Sequence, residues 1–336
     1  MNTKKYEFRI ISVILSAFLL VASVIGISKI NWPSLWTPTQ EMKKGITVSK
    51  DEMKVVLLGT GSPIVNPSRS KPAQAVIAGD KIFLVDCGAG TVSRLIELGI
   101  EPRKVNGVFF THFHSDHDAG FPDFYLSSWI GGTKERDTAL NVYGPPTTKE
   151  TISKIIDAFS FDIKIRIQQA NHSTEGLNVN YAEIREGVIY DDGEMKVTVF
   201  PVDHNPVKEA VGYRFDYKGK SVVFSGDTLP CQNIVKYGQN ADLMVHEAYS
   251  TYYMEKAKKM YPDRERTIND VMKYHASTLE VANEAKEAHV KHLVLTHLMP
   301  APSETWYFEM AFKNGMKDIY DGPISVGRDL DLFTLK

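Results

Sequence analysis

The sequence predicts an α/β fold, and three observations carry that prediction. Short apolar, β-prone runs recur along the chain, at 54–58, 81–85, 108–110, 196–200, 221–224, 243–245 and 291–297, each the length of a buried strand. Segments with helical character separate many of them, such as 91–98, 121–130 and 148–159. Such alternation builds sheets covered by helices. Several of the strands run directly into loops bearing His or Asp, and strand ends at the edge of a sheet are where ligand sites are usually built.

The N-terminus differs from the rest. Lys4, Lys5 and Arg9 precede an apolar run from Ile10 to Ile27, interrupted only by small residues such as Ser12, Ser16, Ser23 and Gly26. A basic start and an apolar middle predict a secretory signal or an uncleaved membrane anchor over residues 1–30, and with it an exported or membrane-anchored catalytic part. Residues 31–52 read as a linker, broken by Trp32-Pro33, Thr37-Pro38 and Lys43-Lys44-Gly45. Trp32 and Trp36 suit a membrane interface and equally suit packing on the domain. The main domain then runs over 53–336.

Within that domain the strand at 54–58 ends in Gly59-Thr60-Gly61-Ser62-Pro63. Residues 75–77 and 81–85 form a hairpin around Gly79-Asp80, followed by Asp86-Cys87-Gly88-Ala89-Gly90. A helix starts at Thr91, its expected N-cap, and ends at Gly99. A second helix, 121–130, is stopped by Gly131-Gly132. A strand at 140–143 and a helix at 148–159 come next. The hairpin of 187–190 with 196–200 delivers Asp203-His204, and that of 210–215 with 221–224 delivers Ser225-Gly226-Asp227-Thr228. The strand at 243–245 runs into His246-Glu247-Ala248, and 249–260 reads as a helix. His275 precedes a helix over 279–288, capped by Ser277 or Thr278 with Glu280 in its first turn. The strand at 291–296 leads to His297, and 329–334 supplies a closing strand.

Composition sets outer limits. The chain has 336 residues, a formal net charge of −2 and two cysteines, Cys87 and Cys231. No strong field draws it to nucleic acid, and no disulfide framework is indicated.

The chemistry concentrates in Thr111-His112-Phe113-His114-Ser115-Asp116-His117-Asp118. In extended backbone His112 and His114 point the same way and can share one metal ion. Asp116 and His117 follow the turn and can reach a second. Imidazole and carboxylate donors without cysteine suit zinc, and also manganese or iron.

His112-Phe113-His114-Ser115-Asp116-His117 matches the H-x-H-x-D-H signature, and the chain resembles the metallo-β-lactamase superfamily, in its arylsulfatase/ribonuclease Z-like subgroup. The G-T-G-S-P turn at 59–63, the D-x-G-x-G turn at 86–90 and S-G-D-T at 225–228 are similar to segments of that subgroup in the same order. The resemblance implies a four-layer αββα sandwich with two mixed sheets. It implies His112, His114, Asp116, His117, His204, Asp227 and His297 as ligands of two zinc ions, with Asp227 bridging them and a metal-bridged hydroxide as the attacking base. It gives catalytic roles to Asp116, His275 and Glu247, His275 as proton donor and Glu247 as its acidic partner. Asp86 is expected to hold the metal loop by hydrogen bonding.

For the substrate, the resemblance leaves a choice. Ribonuclease Z carries a long arm between the positions matching His204 and Asp227, and here one hairpin fills that interval. With the charge balance and the export-like N-terminus, this favours a small sulfate or phosphate ester and no nucleic acid. A lactonase or β-lactam hydrolase is the alternative; a ribonuclease Z-type endonuclease and an inactive metal-binding protein rank below. The expected partners are a small-molecule ester, a membrane through an uncleaved N-terminal segment, and a second copy if the chain is a homodimer.

Overall fold

The computed structural model describes residues 46, 49–131, 134–170 and 172–336. The expected signal or anchor at 1–30, Trp32, Trp36 and most of the linker lie outside the described residues. Among those described, no helix is long and apolar enough to cross a membrane.

The strands are β1 (Met53–Gly59), β2 (Ala73–Ala78), β3 (Lys81–Val85), β4 (Gly107–Phe109), β5 (Leu140–Gly144), β6 (Val179–Glu183), β7 (Gly187–Asp191), β8 (Met195–Pro201), β9 (Val211–Tyr217), β10 (Lys220–Phe224), β11 (Leu243–Tyr249), β12 (Leu293–Met299), β13 (Ile324–Val326) and β14 (Leu332–Leu335). They form two seven-stranded sheets, ordered β14-β1-β2-β3-β4-β5-β6 and β13-β12-β11-β10-β9-β8-β7. Both are mixed. β3 to β6 run parallel to one another, as do β10 to β13, and the remaining pairs are antiparallel.

Parallel neighbours need crossovers, normally helical, and the helices occupy those positions. They are α1 (Thr91–Glu97), α2 (Ser115–Asp118), α3 (Phe121–Ile130), α4 (Thr148–Asp157) and α5 (Ser160–Ala170) over the first sheet. Those of the second are α6 (Gln232–Gly238), α7 (Thr251–Met260), α8 (Glu265–Val271), α9 (Thr278–Glu287) and α10 (Trp306–Phe312).

Side-chain alternation along the strands sorts the apolar residues into three layers. In β1, Val55 and Leu57 enter the core between the sheets, where Phe109, Val199, Phe215 and Val222 meet them. Val56 and Leu58, on the other face, pack with Leu95, Phe121 and Phe124 of the first helical layer. Val223 of β10 and Leu295 of β12 pack outward with Ile234, Val281 and Ala285. The result is helix, sheet, sheet, helix, the predicted sandwich. Cys87 belongs to the first outer layer and Cys231 borders the second. Two sheets separate them, and both thiols are free.

β4 carries the metal loop and is held firmly. Phe109 stacks on Tyr143 with centroids 4.3 Å apart and meets Phe83, Tyr213 and Phe215 edge-on. The Tyr213 hydroxyl, on the facing sheet, donates to the Phe110 carbonyl at 2.6 Å. The Val211 amide donates to the Thr111 carbonyl at 2.9 Å. Both sheets therefore fix the point where the loop leaves.

Two local expectations are refined. The N-cap of α1 is Gly90, at φ +102°, a conformation that favours glycine. Thr91 lies inside the helix and donates its hydroxyl to the Gly88 carbonyl at 2.7 Å. At α9, Ser277 and Glu280 form a reciprocal capping box.

Candidate metal centre

The centre assembles at the carboxyl ends of central strands, joined by the end of β8. His112, His114, Asp116 and His117 follow β4; Asp227 follows β10; Glu247 and His297 sit near the ends of β11 and β12; His204 follows β8. His297 reaches the centre from a left-handed backbone, φ +46°, a strained conformation for a non-glycine residue and one that recurs at functional sites.

All seven predicted ligands come together. The donor atoms of His112, His114, His204 and Asp227 lie within 4.8 Å of one another, as do those of Asp116, His117 and His297. Asp227 joins the two groups. Its Oδ2 lies 3.7 Å from His112 Nε2, 3.4 Å from His117 Nε2, 3.8 Å from His204 Nε2 and 3.3 Å from His297 Nε2. His114, the exposed member, sets its Nδ1 at 3.1 Å from His112 Nε2 and 3.2 Å from His204 Nε2. Asp116 Oδ2 lies 3.2 Å from His297 Nε2.

Neighbouring groups orient the rings. The Thr111 hydroxyl donates to Asp86 Oδ2 at 2.8 Å, so it accepts from His112 Nδ1 at 3.0 Å. His117 Nδ1 donates to Asp86 Oδ2 at 2.8 Å, and His204 Nδ1 to the Tyr274 carbonyl at 2.9 Å. With Nδ1 protonated, each ring presents an Nε2 lone pair to the cluster. His117 Nε2 is buried without a hydrogen-bond partner among the described residues. Inward lone pairs, two central carboxylates and an orphaned buried nitrogen fit divalent cations, one held by His112, His114 and His204, the other by Asp116, His117 and His297.

Burial drives His112 well below the usual histidine range, and the neighbouring His117 adds to the effect. At His117 burial acts the same way, but Asp227 and Asp86 outweigh it and hold the ring well above that range. Burial would raise Asp227, yet His297, His117 and His112 together hold it well below the usual carboxylate range.

Beside the cluster stands a second pair. His275 Nδ1 donates to Glu247 Oε1 at 2.8 Å, and the same oxygen accepts from the Thr228 amide at 3.0 Å. Burial lowers His275, but Glu247 outweighs it and the ring is raised above its ordinary value. The His275 ring stacks on His297, centroids 5.4 Å apart, which places it against the cluster. Behind Glu247, His246 donates from Nδ1 to the Glu247 carbonyl at 2.6 Å and faces Glu284 Oε2 at 3.3 Å from Nε2. Glu284 also accepts from the Cys231 amide at 2.8 Å. No sequence motif announces Glu284. Its signal was a carboxylate on the helix face that also carries Val281, Ala282 and Ala285. His292, by contrast, bonds Ser325 at 2.9 Å, at the other end of β12.

A cleft of about 530 Å³ opens from His114, Asp116, Asp227 and His275 toward α7 and α8. Trp129, Tyr253 and Trp306, aromatic residues whose sequence context suits core or surface packing better than a pocket, are not on its lining.

Residues 81–298 match the family described as "Beta-lactamase superfamily domain". The chain belongs to the metallo-β-lactamase superfamily. Within the superfamily it is similar to ribonuclease Z of Mycolicibacterium gilvum, 35% identical over 282 residues, which are 83% of this chain and 94% of that one. Ribonuclease Z of Mycobacterium marinum is 34% identical over 83% of this chain and 97% of its own. Among solved structures, the metallo-β-lactamase fold protein YhfI of Bacillus subtilis aligns with a TM-score of 0.65 at 19% identity, over 85% of this chain and 100% of that one. The short form of human tRNase Z aligns at 0.60 and 21%, over 83% and 98%. These structural likenesses show the fold. The superfamily is one of divalent-metal hydrolases, in keeping with the cluster.

The relatives correct the expected substrate. A small sulfate or phosphate ester, with no nucleic acid as partner, does not stand beside relatives named ribonuclease Z; the arylsulfatase-like reading falls with it. Two inferences misled. Net charge over a whole chain does not report the field at one cleft. The short interval between His204 and Asp227 did not separate this chain from the ribonucleases it matches, since the alignments take in 94–97% of their length.

Proposed function

We propose that this protein is a metal-dependent ribonuclease that hydrolyses a phosphodiester bond in a structured RNA, of the transfer-RNA precursor class. The observation that carries the reading is the 34–37% identity to ribonuclease Z relatives over 74–83% of this chain. In this reading His112, His114 and His204 would hold one zinc ion and Asp116, His117 and His297 a second, with Asp227 facing both groups; manganese or iron would fit the same donors. When bound, the cations supply Lewis acidity and a water of lowered pKa.

The chain's own residues do the rest. Hydrolysis breaks the bond between phosphorus and the 3′-oxygen, and that oxygen departs as a poor leaving group that needs a proton. Glu247 accepts from His275 Nδ1, which fixes the ring and leaves Nε2 as the atom to carry a proton to the departing oxygen. Thr228 and the His246–Glu284 pair hold Glu247 from behind. Asp86 holds His117 directly and His112 through Thr111.

The test is a metal-loaded preparation assayed on a tRNA precursor transcript with a 3′ trailer, beside aryl sulfate and lactam chromogens. Endonucleolytic cleavage that leaves a 3′-hydroxyl, stops with chelator and returns with zinc is expected. Turnover of the chromogens with the transcript left intact would refute the reading.

A further inference from the structure

We infer that the cleft beside the cluster is a subsite for one nucleobase, that of the nucleoside whose 3′-oxygen leaves. The inference rests on the ribonuclease reading above and adds to it where the substrate sits.

The two sides of the cleft differ in chemistry. One is the metal cluster and His275. The other is apolar, with Met254, Ile268, Val271 and Met299 on the lining and Tyr261 beside them. That wall is firm. Met254, Met299 and Tyr249 form a small core of their own, with Ile268, Val271 and Met272 packed on it. Handling a phosphodiester requires no such wall. Phosphate and ribose are polar and gain nothing from thioether and aliphatic groups. In an RNA chain only the bases offer flat apolar faces, and proteins that take up unpaired RNA stack those faces on aromatic side chains, here with the aliphatic and thioether groups lining the rest of the cleft. The volume of about 530 Å³ lies within the range of small-ligand pockets, about 300–1,000 Å³, and so has room for a nucleoside.

Tyr261 is the stacking residue. It lies at the C-terminal end of α7, lines the cleft and is 56% exposed. Among the described residues no aromatic ring packs on it, whereas Tyr274, deeper in the cleft, is already set against His204 and His275. The methionines beside it suit bases of different shape, because the thioether is flexible and polarisable. The side of the scissile bond follows from His275. The residue that gives a proton to the departing oxygen lines this cleft, so the nucleoside bearing that oxygen is the one against the apolar wall. Arg264, also on the lining, brings a positive charge for the neighbouring phosphate.

The experiment uses the full, metal-loaded chain on two RNAs. The first is a tRNA precursor transcript whose cleavage position has been mapped. The second is the same RNA with the base removed from the nucleoside on the 5′ side of the scissile phosphate. Wild-type kcat/KM should fall about tenfold or more on the abasic RNA, in line with the loss of one stacked base. Tyr261→Ala should fall about tenfold on intact RNA and show no further loss on abasic RNA, and Tyr261→Phe should restore the wild-type pattern. Equal wild-type rates on the two RNAs would overturn the subsite and leave the ribonuclease reading standing. So would a Tyr261→Ala loss of the same size on both. If neither RNA is cleaved, both readings are overturned.

Discussion

Asp86→Asn isolates the support of the metal loop from the ligands themselves. The Asp86 carboxylate accepts three hydrogen bonds, each 2.8 Å, from the Thr111 amide, the Thr111 hydroxyl and His117 Nδ1. Asparagine keeps the size and the oxygen that meets the amide. It places an NH2 group where Oδ2 now accepts two donors, so His117 Nδ1 faces a donor in place of a carboxylate. A hydrogen bond to a charged group contributes about 1.5–3 kcal/mol. Independently, removing the hydrogen-bond partner of a metal-ligating histidine costs about 10- to 100-fold in metal affinity, which is about 1.4–3 kcal/mol at roughly 1.4 kcal/mol per decade. The two routes agree on a loss near 2 kcal/mol, most of it at the cation held by Asp116, His117 and His297. Zinc titration in competition with a chelating dye measures it. The expected result is one affinity weakened 10- to 100-fold and the other changed less, with the circular dichroism spectrum retained. Zinc affinities within twofold of wild type at both positions, in a folded variant, would show that Asp86 does not orient the ligands and would sink the reasoning.

Other consequences are as direct. Asp227→Ala should lose bound metal and hydrolytic activity together, since one oxygen faces four imidazoles; elemental analysis showing wild-type metal content would contradict its central place. His275→Ala should keep its metal yet slow RNA cleavage by about 10²- to 10⁴-fold, the usual range for a lost general acid. The same variant should lose far less on a diester with a nitrophenolate leaving group, and equal losses on both substrates would count against proton donation. Phe109→Ala should destabilise the fold by about 3–5 kcal/mol, because four rings surround Phe109 at the root of the metal loop. Urea denaturation gives the number, and a loss below about 1 kcal/mol would mean that the site collapses around the gap.

How much of this was legible depends on what each residue type must do. The sandwich was legible because β1, β10 and β12 are apolar on both faces, as strands between a helical layer and a second sheet must be. β6 was missed because it lies at a sheet edge with no fully buried residue, so no apolar run announces it. α8 was missed because the seven residues Glu-Arg-Thr-Ile-Asn-Asp-Val include no buried residue and their pattern is that of a polar loop. The Thr91 cap failed for a local reason. A helix entered from a left-handed turn needs glycine at that place, and Gly90 was the residue to weigh.

The same distinction explains why the cluster was readable and the substrate was not. A cation accepts few donor types, so a ligand restricts its position to histidine or a carboxylate. When such a residue ends an apolar strand it contrasts with everything before it, as His204, Asp227 and His297 do. A surface that receives a base requires only apolar contact and one free ring. Met254, Ile268 and Val271 meet that need with side chains any amphipathic helix would place toward a core, and Tyr261 looks like a residue at a helix end. Their meaning comes from standing across the cleft from His275 and Asp227, a relation made by the crossover from β11 to β12. On the proposed subsite, substrate choice in this chain rests on the helices between those two strands. Exchanging residues 251–271 should alter which RNA is cut while the number of metal ions bound stays the same.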